Sequence, residues 1–182
     1  MLRFDGFLFL CILVSTCALP PNVTNSLKAP YNRECDVFAT DYKIYRNVKS
    51  CYKIPRKPST WHQADKECAA EGAHLVVLNS EAEHDVVHDL MNSEPKVVGS
   101  KTTWFFHAGY RAEVPTDGAP KVFKTIFDET LEEAGYSKWA PKEPNNYPKY
   151  EDCGTLFKND GNLNDINCND IYGFICEKEI QQ

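Results

Sequence analysis

No apolar run in this 182-residue chain reaches the roughly twenty residues of a membrane span. The longest is Phe7–Val14, set behind Arg3 and followed by the small residues Thr16-Cys17-Ala18. That build predicts a secretory signal peptide over residues 1–18, cut after Ala18, and not an anchor. Positive charge is scarce too, with 20 Lys and Arg against 26 Asp and Glu and a formal net charge of −6. A main surface for nucleic acid is thereby excluded, because phosphate backbones are held by clustered cations. Heptads, collagen triplets and internal repeats do not occur, so no oligomerising stalk is encoded. Self-association, if it happens, must use the domain's own surface.

Cysteine is abundant, with eight in the chain. The cytosol would keep such thiols reduced, so the number points to an oxidising compartment and a secreted, extracellular protein. Cleavage after Ala18 removes Cys11 and Cys17 and leaves Cys35, Cys51, Cys68, Cys153, Cys168 and Cys176. An even count in a secreted chain reads as three disulfides, and spacing alone leaves their pairing open. The tight paired spacing of a structural zinc site is missing. Hydrophobic residues at 42% and charged ones at 25% fit a globular domain and neither a disordered chain nor a membrane bundle.

Residues 19–34, with Pro20, Pro21 and Pro30, read as a flexible leader, and Asn22 in Asn22-Val23-Thr24 is a candidate glycosylation site. Residues 35–179 read as one domain. Tyr42–Tyr52 alternates as a hairpin does. Thr60 and Gln63 are spaced as a capping box for a helix to Glu71, with Trp61, Ala64 and Cys68 on one stripe and Gly72 as a stop. A short strand is expected over His74–Asn79. Ser80 and Glu83 predict a second capped helix to about Met91, with Ala82, Val86, Val87, Leu90 and Met91 as its apolar side. Further strands are expected over Trp104–Tyr110, Val122–Phe127, Gly154–Phe157 and Gly173–Glu177. A long loop over residues 111–150 is rich in Pro, Gly and Asn, and loops of that length in a small domain are usually functional. Helices early and strands late make an α+β domain. Trp61 and Trp104 read as core residues, and Trp139 as core before site wall.

The chemistry is concentrated between Trp139 and Cys176. Glu143-Pro144-Asn145 is followed by Glu151 and then by Asn164-Asp165. Glu143, Glu151 and Asp165 offer carboxylates, and Asn145 and Asn164 offer amide carbonyls. With the backbone carbonyl of Asp165 they can present six hard oxygens, a number that suits calcium and leaves room for a ligand's own oxygens. Magnesium, which demands a tight octahedron, suits the set less well. A disulfide between Cys153 and Cys168 would fix Glu151 against Asn164-Asp165. A cis bond before Pro144 would turn Glu143 and Asn145 to the same side.

This pattern resembles a C-type lectin domain over roughly Cys35–Lys178. Glu-Pro-Asn, a Glu shortly before Cys153, and Asn-Asp shortly before Cys168 are similar to that family's calcium and sugar site, and Trp139 fits as well. The resemblance implies the pairs Cys35–Cys51, Cys68–Cys176 and Cys153–Cys168, the first being that of the family's long form. It implies a C-type lectin-like fold of two helices and antiparallel sheets with a long calcium-binding loop region. It also implies Ca2+ as cofactor and mannose-type glycans as partners, since Glu-Pro-Asn goes with mannose and Gln-Pro-Asp with galactose. Calcium and carbohydrate would share Glu143, Asn145, Glu151, Asn164 and Asp165. Two neighbouring hydroxyls would each give a lone pair to the ion and exchange hydrogen bonds with its ligands. Exchanging Glu143 for Gln and Asn145 for Asp would reverse the order of donors and acceptors. Carboxylates must be unprotonated to bind, so acid is expected to release the ion.

The leader and the single domain look most like secreted insect haemolymph lectins of the immulectin kind, which implies pattern recognition in innate immunity. The sequence departs from the family at Leu163, where Trp is usual, and at His107-Ala108-Gly109-Tyr110, where the family carries Trp-Ile-Gly-Leu. Asn146 stands where many members place an acid serving an accessory calcium, so the reading is of one calcium. The competing function is a lectin-like protein-binding module of the venom or receptor-blocking type, whose binding would survive chelation. His84-Asp85-Val86-Val87-His88 has the spacing of a zinc-protease helix with Asp in place of the needed Glu, and both histidines read as a solvated face. No catalytic constellation can be assembled, and the chain is read as not an enzyme. The acidic group Asp128, Glu129, Glu132 and Glu133 and the basic group Lys49, Lys53, Arg56 and Lys57 read as solvent-facing.

Overall fold

The computed structural model describes residues 31–94, 97–113, 120–147 and 149–180, so the expected signal peptide, most of the leader and Asn22 lie outside the described residues. Within these, two antiparallel sheets are clamped by helices and three disulfides. The first hairpin is β1 (Lys43–Tyr45) and β2 (Ser50–Lys53), and helix α1 (Trp61–Ala70) follows. Gln63 accepts from the Thr60 amide at 3.4 Å and from its hydroxyl at 3.1 Å, so the spacing predicted the helix start. Gly72, at φ 82°, ends the turn that leads into β3 (His74–Leu75). Helix α2 (Glu81–Ser93), β4 (Phe105–Glu113), β5 (Val122–Thr125), α3 (Leu131–Ala134), β6 (Glu151–Phe157), β7 (Leu163–Asn167), β8 (Gly173–Phe174) and β9 (Cys176–Glu179) complete the order.

One sheet runs β1-β2-β9-β3, and the other runs β5-β4-β6-β7 with β8 parallel to β4. The strand expected over His74–Asn79 pairs only through Leu75, because the next residues bridge the two sheets. Val76 donates to the Ile175 carbonyl at 2.9 Å and accepts from Gly109 at 2.8 Å. Tyr52, Leu78, Leu90, Tyr110 and Ile175 are fully buried between these layers. A second cluster of Trp61, Cys68, Leu75 and Phe174 lies under α1. The pairs Cys35–Cys51, Cys68–Cys176 and Cys153–Cys168 form as the resemblance implied. The architecture is α+β as expected, with α3 as a third helix beside the two that the sequence predicted. Among the described residues no helix is long and apolar enough to cross a membrane.

Several local expectations are corrected. Trp104 is 55% exposed and not core, whereas Trp61 is buried as expected, its indole donating to the Ala108 carbonyl at 2.7 Å. Ala82 is exposed, and the residue buried at the start of α2 is Glu83. Ser80 does cap α2 by accepting from the Glu83 amide, but the Glu83 carboxylate turns inward, to the Tyr52 hydroxyl and to the Asn79 amide at 2.6 Å. Glu177 lies beside it, accepting from Ser50 at 2.8 Å and from the Val77 amide at 3.1 Å. Burial, and then the neighbouring Glu83 charge, hold the Glu177 carboxyl well above the usual range. The segment Gly173–Glu177 is not one strand, since β8 joins one sheet and β9 the other.

Candidate functional site

The hairpin of β6 and β7 carries one half of the oxygen set. Glu151 opens β6 opposite Asn167, and Asn164 and Asp165 lie within β7 opposite Thr155 and Gly154. Sequence patterning hides β7, because Asn and Asp are poor strand formers. It forms because buried Leu163 pairs with Leu156, while a parallel bridge joins it to Trp139 on the other side. Ala140 donates to the Leu163 carbonyl at 2.8 Å, so the incoming loop is laid against β7 just before Glu143. Trp139 stays half-buried, 4.9 Å from the Phe123 ring, as core before site wall. The Cys153–Cys168 bond crosses the same hairpin.

The other half of the set is the loop itself, whose Glu143–Pro144 bond is cis. Asp165 accepts with one oxygen from the Asn145 amide at 3.0 Å and with the other from the Asn146 amide at 2.9 Å. Glu151 accepts from the Tyr147 amide at 2.8 Å. The Asn145 side-chain amide donates to both oxygens of Glu143, at 2.7 and 2.6 Å. Asn164 donates to the Asp165 carbonyl at 2.7 Å and to the Thr155 hydroxyl at 3.2 Å. All five residues singled out from the sequence thus belong to one hydrogen-bonded network. Glu151, Asn164 and Asp165 are buried, Glu143 is half-buried, and Asn145 is exposed at the rim.

The network is open and electronegative. Backbone amides of residues 145–147 bridge its carboxylates, that of Asn145 being shared by Glu143 and Asp165. None of the three pairs with a cationic side chain among the described residues. Burial and then the Asp165 charge push Glu151 up to about 7, and burial raises Glu143. Apart from Glu143 Oε2, which accepts two bonds from Asn145, each carboxylate oxygen keeps a lone pair beyond the bonds described. Such a donor set, held in place and short of positive charge, fits a hard divalent cation.

His84 and His88 do not form a solvated face. Both are half-buried, with ring nitrogens 2.9 Å from the Asp160 carbonyl and 3.2 Å from the Lys158 carbonyl, and they support the turn joining β6 to β7. His84 also stacks on Tyr136 at 5.1 Å. Among the described residues one group of His, Cys or acidic side chains is drawn close enough to hold a metal: His62, Cys153 and Cys168. Its sulfurs are spent in a disulfide. Of the basic group, Lys53 is half-buried and paired with Asp41 and Glu71, whereas Lys49, Arg56 and Lys57 are exposed. The acidic residues 128, 129, 132 and 133 are exposed as expected, with Glu133 in the cap of α3. Sequence reasoning missed Tyr147 and Tyr150, which stand 80% and 75% exposed beside the network, and Lys121, for which the sequence carried no signal.

A disulfide-clamped double sheet with an oxygen-rich loop at one edge defines a small binding domain of the lectin type. The chain belongs to the C-type lectin domain family, whose pattern matches residues 57–178. It is similar to the hemolymph lipopolysaccharide-binding protein of Periplaneta americana, at 31% identity over 93% of this chain and 60% of that protein. It is also similar to C-type lectin domain family 10 member A of Rattus norvegicus, at 32% identity over 72% of this chain and 39% of that one. The chain thus spans less than two thirds of these relatives. The carbohydrate-recognition domain of the mouse scavenger receptor C-type lectin superposes with a TM-score of 0.60 at 23% identity, covering 78% of this chain and 96% of that one, and shares the fold.

Proposed function

We propose that the domain is a secreted, calcium-dependent lectin for mannose-type glycans, with Glu143, Asn145, Glu151, Asn164 and Asp165 as the shared ligands of one calcium and the sugar. The observation that supports this reading is their union in one network at the edge of the β6–β7 hairpin. A bound calcium would supply positive charge that polarises two neighbouring sugar hydroxyls. The chain's own groups then sort the hydroxyls: Glu143 and Glu151 accept their protons, and the amides of Asn145 and Asn164, each giving up one of the internal bonds described above, donate to their oxygens. Exposed Tyr147, with its amide fixed on Glu151, offers a ring face beside that position. The cockroach relative is named for binding lipopolysaccharide, which favours microbial surface glycans as targets and a role in innate defence. A single sugar site of millimolar strength is worth about 4 kcal/mol, so clustered glycans are the fitting partner.

Retention on mannose-agarose in calcium, followed by elution with EDTA, tests the reading. Retention with release by chelator is expected. Failure to be retained, with no calcium uptake in calorimetry, overturns it in favour of a protein-binding module.

A further inference from the structure

We propose that Lys121 is a tethered cation that holds the binding loop in shape, a positioning residue for the site whose function is proposed above. Lys121 stands directly before β5, outside the Glu143–Glu151 segment and outside the five-residue set. Its ammonium donates to the Asn146 side-chain oxygen at 2.8 Å, to the Glu151 backbone carbonyl at 3.3 Å, and to the Asp152 carboxylate. An ammonium has three N–H donors, and here each meets an oxygen. An amide oxygen, a main-chain carbonyl and a carboxylate converging on one point are donors of the kind a hard divalent ion takes. In this protein a lysine's charge fills that point.

Asn146 is the hinge of the arrangement. Its side-chain oxygen takes the ammonium and also accepts from the Glu151 amide at 3.2 Å, while its own amide donates to Asp165 at 2.9 Å. Asn145 and Tyr147, on either side, carry the contacts to Glu143 and Glu151. The ammonium therefore joins the two halves of the oxygen set from behind, without touching the oxygens that face a ligand. With 24% of the Lys121 side chain and 37% of that of Asp152 exposed, the ion pair by itself contributes little to stability. Its consequence is positional: one charge fixes residues 25 to 31 positions further along the chain. The loop is then shaped before calcium arrives, and the ion spends less of its binding free energy on ordering it.

The test uses the whole protein and its Lys121→Met and Lys121→Arg variants. Amide hydrogen exchange is read in EDTA, and calcium affinity by calorimetry. In Lys121→Met the amides of Asn145, Asn146 and Tyr147 are expected to exchange about tenfold faster, with those of β9 unchanged. Calcium should bind about tenfold more weakly at an unaltered one-ion stoichiometry, and Lys121→Arg should recover most of both effects. Loop exchange and calcium affinity equal to wild type in Lys121→Met overturn the proposal. If that variant loosens β9 as well, Lys121→Arg decides: protected loop amides support the proposal, and unprotected ones overturn it. A wild type that takes up no calcium overturns the calcium reading alone, and the exchange readout still decides on Lys121.

Discussion

His107 sits where the family's core motif carries tryptophan, fully buried on β4. One ring nitrogen lies 3.0 Å from the Ser59 carbonyl, and the other, Nδ1, has no hydrogen-bond partner among the described residues. Burial outweighs the nearby carbonyl and pulls the imidazole down to about 4. A base whose pKa is lower in the folded than in the unfolded chain binds more protons when unfolded. Stability is therefore lost as pH falls from about 6.5 towards 4, by up to about 3 kcal/mol. In EDTA, the melting temperature of wild type should fall steeply between pH 7 and 4.5, and that of His107→Gln clearly less. Parallel slopes for the two proteins would refute this account. Glu177 works in the opposite sense: its carboxyl is held up by burial, so its contribution is present at low pH and lost as pH rises through its folded value.

At the scale of elements, local spacing was legible and tertiary competition was not. Thr60 and Gln63 formed the cap their spacing predicted. Ser80 and Glu83 formed half of one, because Tyr52, which is 31 residues away, claimed the carboxylate. A helical wheel placed His84 and His88 away from the apolar side, and the carbonyls of Asp160 and Lys158 that occupy them belong to another part of the chain. Helix α3 did have a signal in Thr130 and Glu133, and its four residues are too few to show a helical period. Gly135 ends α3 at φ 105°, and a Cβ there would lie 2.2 Å from the Asn79 carbonyl oxygen. Backbone meets backbone at this point, so nothing soft can give way. Gly135→Ala should cost about 2 kcal/mol or more in urea unfolding. A loss below about 0.5 kcal/mol would mean that α3 shifts freely on its neighbours.

For the whole molecule, the five oxygen-bearing side chains were legible because chemistry confined to a short stretch can be seen without a fold. Their support was not, since it comes from Lys121, Thr155 and the amides of residues 145–147, whose partners are set by register. The Cys153–Cys168 bond closes a separation of 15 residues across the site hairpin. Removing it as Cys153→Ala with Cys168→Ala should cost about 3 kcal/mol on chain-entropy grounds. Mannose retention should disappear while far-UV circular dichroism stays close to that of wild type. Retention at full strength would show that β-pairing alone registers Glu151 against Asp165.

The Cys68–Cys176 bond has a different reach, since it joins α1 to the last strand across 108 residues. Between these two points lie α2, both site segments and every turn of the long loop, so this part of the chain is a closed ring. A single cut by a protease anywhere within the ring opens it without releasing a piece. A cut beside the exposed Tyr147 or Tyr150 would leave both fragments one covalent molecule until a reductant reaches that buried bond.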